Sequence, residues 1–496
     1  MSNKNSEKIL IAWDLLKSWE KIELNLKMAN RHWLIFWATW TGKTVTMQVL
    51  AEQFSKAWVP VFASDVKWDL SGICVWWENN KHIEKRLKHI GIKNWEAKGF
   101  PTIFWDLYGK KWHQVRTTVS EMWPLLFSRI LDLSDTGEAL MHIAFKIADD
   151  NWWLLLDLDD VEAILNYMEE NSKILKKEYW NIRSSSIATI RRNLLVLREI
   201  WADQFFWEVA LVLDHIIKKD INWNWIINIL DSRELMSDTR LYSTFLLWLL
   251  SELFEQLPEV WDLEKPKLVF FFDEAHLLFR DAPKILINKI EQVVRLIRSK
   301  WVWIYFVTQN PWDIPDLVRS QLANRIWHSL RAFTPKDRKN IKLVAQNFRE
   351  NPDFKISEAL TNMEVWVWLI SFLDEKWIPQ ITKQWLIRPP ESMMWEINDE
   401  IRQKVINSSP FYGLYEKRID RISAEEILEK LENSPQTSPT WKEVEKEEGK
   451  SLFEDLIFWT KKKQGFIETV SRAVMRKSAN KIATKITRWI LGGLLK

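Results

Sequence analysis

Apolar residues recur along this chain with periods that change in a regular order. Two short runs, "ILIAW" and "KIELNL" within residues 8–27, flank a turn and predict a pair of strands. An apolar run "HWLIF" follows. It leads through a short polar stretch into the helical pattern "TVTMQVLAEQFSKA" and then into a second apolar strand in "VPVFASDVK". Strand, helix and strand in immediate succession predict a βαβ unit and a parallel sheet with helices on its faces. From about residue 118 to 260 the period is mostly helical, as in "SEMWPLLFSRILDLS", "LDLDDVEAILNYMEEN", "SSSIATIRRNLLVLREIW" and "TRLYSTFLLWLLSELFEQL", interrupted by a short strand at "WIINIL". The sheet resumes with "KLVFFFDEAH", an uninterrupted apolar strand suited to the centre of a parallel sheet. A helix over 282–300, a strand "WVWIYFVTQN" and another near "WVWLISFLD" complete an α/β core that carries a helical insertion.

Composition changes this picture at one point. Charged residues at 28% and apolar ones at 47% are ordinary for a soluble globular protein, but Trp numbers 34 and Gly only 11. Average usage would give roughly 35 glycines in a chain this long. The tryptophans stand where glycine is needed, at turns and helix ends that require positive φ. Trp301 follows the helical run "VVRLIRSK", where a glycine C-cap is expected; Trp68 follows an apolar strand in "DVKWDLSG"; Trp377 lies in "DEKWIPQ"; Trp223 and Trp225 alternate with Asn. We read most of these tryptophans as glycines in the living protein, because the codon UGA is read as Trp in some genetic codes and as Gly in others. Trp105, Trp153 and Trp248, embedded in apolar runs, are the best candidates for genuine Trp.

With glycine at 37 and 40, the stretch Trp37, Ala38, Thr39, Trp40, Thr41, Gly42, Lys43, Thr44 satisfies the phosphate-binding pattern G-x-x-x-x-G-K-[ST] between a strand and a helix. Backbone N–H groups and the helix N-terminus then surround the phosphates of ATP, Lys43 reaches the β- and γ-phosphates, and the Thr44 hydroxyl ligates Mg2+. An indole at either position fills that space. The strand "LVFFF" delivers Asp273 and Glu274 at its end, where the Asp holds Mg2+ and the Glu orients or deprotonates the attacking water. Gln309 ends the strand "IYFVTQN" and is either a γ-phosphate sensor or a polar strand terminus. Asp65, Lys67 and Asp69 either lie near the metal or form a surface turn. Arg31, Arg325 and Arg331 are arginine-finger candidates for a neighbouring subunit or ordinary ion-pair partners. His276 and His328 have no second ligand at metal spacing and are read as structural.

The stretches "MANRHWLIFWATWTGKTVTMQVLAEQFSKAWVPVFASDVKWDLSGI", "KPKLVFFFDEAHLLF", "KIEQVVRLIRSKWVWIYFVTQNPWDIPD" and "LRAFTPKD" resemble a bacterial family of HerA-like helicases or ATPases within the HerA–FtsK superfamily of P-loop motors. Positions 37, 40, 68, 301 and 303 are usually glycine in that family. The resemblance implies a RecA-like P-loop NTPase fold in which Lys43 and Thr44 bind nucleotide and Mg2+, Asp273 and Glu274 serve metal binding and hydrolysis, and Gln309 senses the γ-phosphate. It also implies a homo-oligomer, typically a hexameric ring that moves double-stranded DNA. Because only about 30 residues precede the P-loop strand, the N-terminal β-barrel of archaeal HerA motors is expected to be absent.

The expected division is a hairpin and P-loop half of the core (1–117), a mainly helical insertion (118–260), the second half of the core (261–432), a charged linker (433–460) and a basic amphipathic C-terminal helix (461–496). That tail carries ten Lys or Arg against Glu468, a local charge of +9, so the net +3 of the chain leaves about −6 for the rest. The tail is suited to DNA, an anionic membrane surface or a neighbouring subunit. Cys74 stands alone, so no disulfide framework exists, and no apolar stretch is long enough for a transmembrane span. A cytoplasmic location is expected. Three functions remain: an ATPase coupled to DNA translocation or unwinding, a nucleotide-dependent switch acting on a protein partner, and a non-catalytic protein whose site is blocked by Trp.

Overall fold

The computed structural model describes residues 8–432, apart from 16–19, 28–31, 38–41, 78–80, 180–181, 201, 219–224, 238, 261–262, 281–283, 310, 331–333, 347, 372–377, 418 and 420. The linker and basic tail expected at 433–496 therefore lie outside the described residues, as do Trp223 and Trp377.

Twelve strands form one sheet. In chain order they are β1 (Lys8–Asp14), β2 (Lys21–Asn25), β3 (His32–Phe36), β4 (Val61–Asp65), β5 (Thr102–Asp106), β6 (His113–Gln114), β7 (Ile227–Asp231), β8 (Leu268–Phe272), β9 (Val302–Thr308), β10 (Leu322–Trp327), β11 (Val367–Ser371) and β12 (Lys383–Ile387). Their spatial order is β2-β1-β12-β11-β10-β3-β9-β8-β4-β7-β5-β6. Every neighbouring pair from β10 to β6 is parallel, while the pairs from β2 to β10 on the other edge are antiparallel. The fold is a mostly parallel α/β sheet flanked by helices.

The strand seen inside the helical stretch belongs to this sheet. β7 pairs with β4 on one side and β5 on the other, so Asp65, Asp231 and Asp106 stand level at three adjacent strand ends. Its run Ile227-Asn228-Ile229-Leu230 is buried on both faces, as a central parallel strand requires. The rest of the stretch from 118 to 260 is chiefly helical, closing with α2 (Thr239–Gln256).

Consecutive residues of a strand point to opposite faces, and β8 uses this to serve two cores. Phe271 joins the cluster beneath helix α1 (Lys43–Lys56), where it packs with Phe54 and Tyr305. Phe270 and Phe272 join the opposite cluster, which includes α2 and α3 (Lys284–Ile297). α1 is enclosed along almost its whole length, so the residue at its first turn is held in a fixed place relative to the strands below.

Backbone conformation marks the tryptophans. Among the described non-glycine residues, positive φ occurs at Asp132, Glu274 and five tryptophans: Trp58, Trp68, Trp152, Trp301 and Trp366. The left-handed region costs an L-residue roughly 1–2 kcal/mol, so the five tryptophans stand at positions that favour glycine. Trp301 caps the turn after α3 with φ 58°, as expected for a C-cap glycine. Trp303, buried in β9, has an indole N–H without a hydrogen-bond partner. By contrast Trp105 donates its indole N–H to Asn228 Oδ1 at 3.0 Å, the pairing expected of a genuine buried Trp.

Trp152 tests the glycine reading without loss of core packing, because it is 74% exposed and has φ 58°. Trp152→Gly is expected to stabilise the chain by about 1 kcal/mol in denaturant unfolding; a loss of stability would count against a glycine position there.

Candidate functional site

β3 runs to Phe36 and leaves the sheet at Trp37, whose backbone N–H still donates to the Thr308 carbonyl at 3.3 Å. Residues 38–41 lie outside the described residues. Gly42 enters α1 at φ 98°, and a Cβ there would lie 2.6 Å from the Trp366 side chain. The left-handed φ requires glycine at this entry, whereas the close contact is with a side chain at another position read as glycine.

Lys43, the first residue of α1, is buried and reaches the end of β8. Its Nζ donates to both carboxylate oxygens of Asp273 at 2.6 Å. Burial alone lowers a lysine pKa, yet that of Lys43 is raised, because the charges of Asp273 and Glu274, the Asp273 hydrogen bonds and the charge of Asp65 outweigh it. Thr44 donates its hydroxyl to Asp69 Oδ2 at 3.1 Å. Asp65 ends β4, and its carboxylate accepts the backbone N–H groups of Lys67, Trp68 and Leu70 at 3.2, 2.9 and 2.8 Å. Asp65 thus builds the turn after β4 while sitting within the field of Asp273 and Lys43. Burial and the Asp273 charge push its pKa up to about 7.

Glu274 takes a left-handed conformation, φ 48° and ψ 48°, immediately after β8. Strain of this kind costs of order 1–3 kcal/mol and concentrates at functional sites. One carboxylate oxygen accepts from Gln309 Nε2 at 2.8 Å, which brings the ends of β8 and β9 together. The other, Oε2, is buried and accepts no hydrogen bond; His276 Nδ1 lies 3.5 Å from it. Burial and the neighbouring Asp273 raise the Glu274 pKa.

Asp65, Asp273 and Glu274 thus surround a single buried ammonium, Lys43. That surplus of negative charge suits a divalent cation. Among the described residues no group of three or more His, Cys, Asp or Glu is placed to hold a metal by itself. Mg2+ bound with a nucleotide is normally held by one or two carboxylates together with substrate phosphates and water.

Arg325 lies within β10, donates to the Leu322 carbonyl at 3.4 Å, and shares no hydrogen bond or ion pair with Lys43, Asp273 or Glu274 among the described residues. Arg31 and Arg331 lie outside the described residues. His328 is structural, with Nε2 3.0 Å from the Thr46 hydroxyl.

Several residues at the site escape a reading of motifs. The Tyr242 hydroxyl from α2 lies 2.8 Å from Ser64 Oγ and donates to the Asp273 carbonyl at 3.1 Å, tying the end of the helical stretch to the Asp273–Glu274 turn. His276, read as structural, touches Glu274; its place two residues on was the available signal. On the far side of α1, Glu52 accepts the backbone N–H groups of Glu391 and Ser392 at 2.9 and 3.0 Å. Glu391 in turn pairs with Arg388 and Lys56, so the segment 388–393 is bolted to the helix that carries Lys43.

A strand followed by a helix that opens in Gly42-Lys43-Thr44, with a strand ending at Asp273-Glu274 on the far side of β9, marks the P-loop ATPase class. Residues 15–496 match the family model described as Helicase HerA-like C-terminal, and the chain belongs to that family. No curated protein matches it in sequence. Among solved structures it is similar to VirB4 of Thermoanaerobacter pseudethanolicus, with 13% identity and a TM-score of 0.47 over 78% of this chain and 98% of that one. It is also similar to the bacterial conjugative coupling protein TrwBΔN70 in its unbound form, with 11% identity and a TM-score of 0.49 over 79% and 93%. The plasmid coupling protein TrwB in complex with ADP and Mg2+ gives 11% identity and a TM-score of 0.49 over 75% and 88%.

The Glu52 clamp predicts a pH dependence. Burial first, then the charge of Glu391, raise its pKa from 4.5 to about 7 against the hydrogen bonds that lower it. The folded chain therefore holds a proton that the unfolded chain releases earlier. This stabilisation is complete below the unfolded pKa and is lost as pH rises toward about 7. The stability of the parent relative to Glu52→Gln is expected to fall by about 3 kcal/mol across that window in chemical unfolding; a flat difference would contradict it.

Proposed function

We propose that this protein is a Mg2+-dependent ATP hydrolase of the HerA-like motor type, coupling hydrolysis to DNA translocation or unwinding as a homo-oligomer. The observation that carries the hydrolytic reading is Glu274: one oxygen is anchored by Gln309, and the other is buried without a hydrogen bond beside the Lys43–Asp273 pair. A carboxylate so placed is suited to take a proton from water. In this reading Lys43 exchanges Asp273 for the β- and γ-phosphates, Thr44 and Asp273 hold Mg2+, and Asp65 supports the same charged cluster. Mg2+ would neutralise charge developing on the phosphate oxygens. Gln309, bonded to Glu274, links the γ-phosphate position to the base. Arg325 and Arg31 act, in this account, on the site of a neighbouring subunit.

The DNA motor function and ring assembly rest on family membership. The lone Cys74 suits a reducing cytoplasm. Among the described residues no helix is long and apolar enough to cross a membrane. A second reading, a nucleotide-dependent switch with a protein client, is favoured by the charge of about −6 on residues 1–460, since a pore for DNA is better served by Lys and Arg.

In the chain carrying glycine at 37 and 40, ATP hydrolysis is expected to rise with duplex or forked DNA. Lys43→Ala or Glu274→Gln is expected to lower it by at least ~100-fold. Hydrolysis indifferent to DNA would remove the motor function and leave the ATPase; hydrolysis that survives Glu274→Gln would remove the assigned base.

A further inference from the structure

Two ammonium groups face one side chain. Lys43 Nζ lies 4.5 Å from the centre of the Trp37 ring, and Lys67 Nζ lies 4.6 Å from the same centre. The ring is 3% exposed and its indole N–H has no hydrogen-bond partner. Nothing polar therefore answers the indole there, whereas two cations do. Lys67 is exposed and makes no ion pair among the described residues. Its backbone is fixed nonetheless, because Asp65 accepts the N–H groups of Lys67, Trp68 and Leu70. The turn after β4 thus presents a lysine to the same ring that Lys43 approaches.

A ring face attracts a cation by about 0.5–2 kcal/mol. Lys43 is held by Asp273 as well, but for the exposed Lys67 the ring is a weak reward, and a phosphate is the stronger partner. With glycine at 37 the ring is gone and the volume it occupies beside the two lysines is free for an anion.

We infer that Lys67 is a second phosphate-binding lysine, close with Lys43 to the position of Trp37 and contacting the terminal phosphate of a nucleoside triphosphate. Lys43, at the helix start, serves the β-phosphate that both nucleotides carry as well as the γ-phosphate; Lys67 registers only the one that hydrolysis removes. This inference rests on the nucleotide-site reading above and adds the residue that tells triphosphate from diphosphate.

The test is equilibrium binding of a fluorescent non-hydrolysable ATP analogue and of the matching ADP to the full chain with Trp37→Gly and Trp40→Gly, alone and with Lys67→Ala or Lys67→Arg. Lys67→Ala is expected to weaken the triphosphate by about tenfold and the diphosphate by less than about twofold. Lys67→Arg should restore most of the difference, and thermal midpoints without nucleotide should coincide. Equal weakening of both nucleotides, or of neither, overturns the role of Lys67 alone. A parent that folds but binds neither nucleotide overturns the nucleotide site itself, and this inference with it.

Discussion

The ion pair between Lys43 and Asp273 holds the site together. Its two partners are 230 residues apart in sequence, 2.6 Å apart in space, and almost fully buried. Taking two charges out of water is costly unless geometry and further hydrogen bonds answer them, and here the cost is met by the sheet. β3 and β8 flank β9 as parallel neighbours, so the start of α1 and the end of β8 meet at the same edge. Apolar side chains on both faces of β8 fix the height of Asp273. The segment 388–393, clamped on Glu52, and the hydroxyl of Tyr242, under the Asp273 carbonyl, hold the two sides from outside.

Much of this was legible in the sequence because the informative residues end apolar runs. Strands stop where the chain leaves the core, and a polar side chain there is either solvated or part of a site. Asp273, Glu274, Asp65 and Gln309 stand at such ends and Lys43 opens the helix that follows one, and the contact between Gln309 and Glu274 joins two of them directly. What the pattern did not disclose depends on distant contacts. β7 read as a strand between helices, and only its pairing with β4 and β5 reveals it as part of the main sheet. Tyr242 and Glu52 lie inside helical runs with no local mark, and the burial of Glu52 depends on a segment more than three hundred positions away.

The tryptophans show the same logic from the opposite direction. A side chain where backbone must turn left-handed is a local contradiction, and local contradictions in natural chains call for a cause. Five tryptophans at positive φ supply the contradiction in the backbone, and Trp37 supplies it in the site, its ring approached by two lysines. One change of reading, from indole to hydrogen, relieves both. It turns strained turns into ordinary ones and a walled-off loop into one whose amides can approach an anion.

The claim beneath all of this is that no side chain stands at positions 37 and 40 of the natural protein. Trypsin cuts after Arg31 and Lys43 and releases residues 32–43 as one peptide. Sequencing that peptide by mass spectrometry, in protein isolated from its own cell, is predicted to show glycine at both places. Tryptophan at either would leave the phosphate position filled and contradict the account.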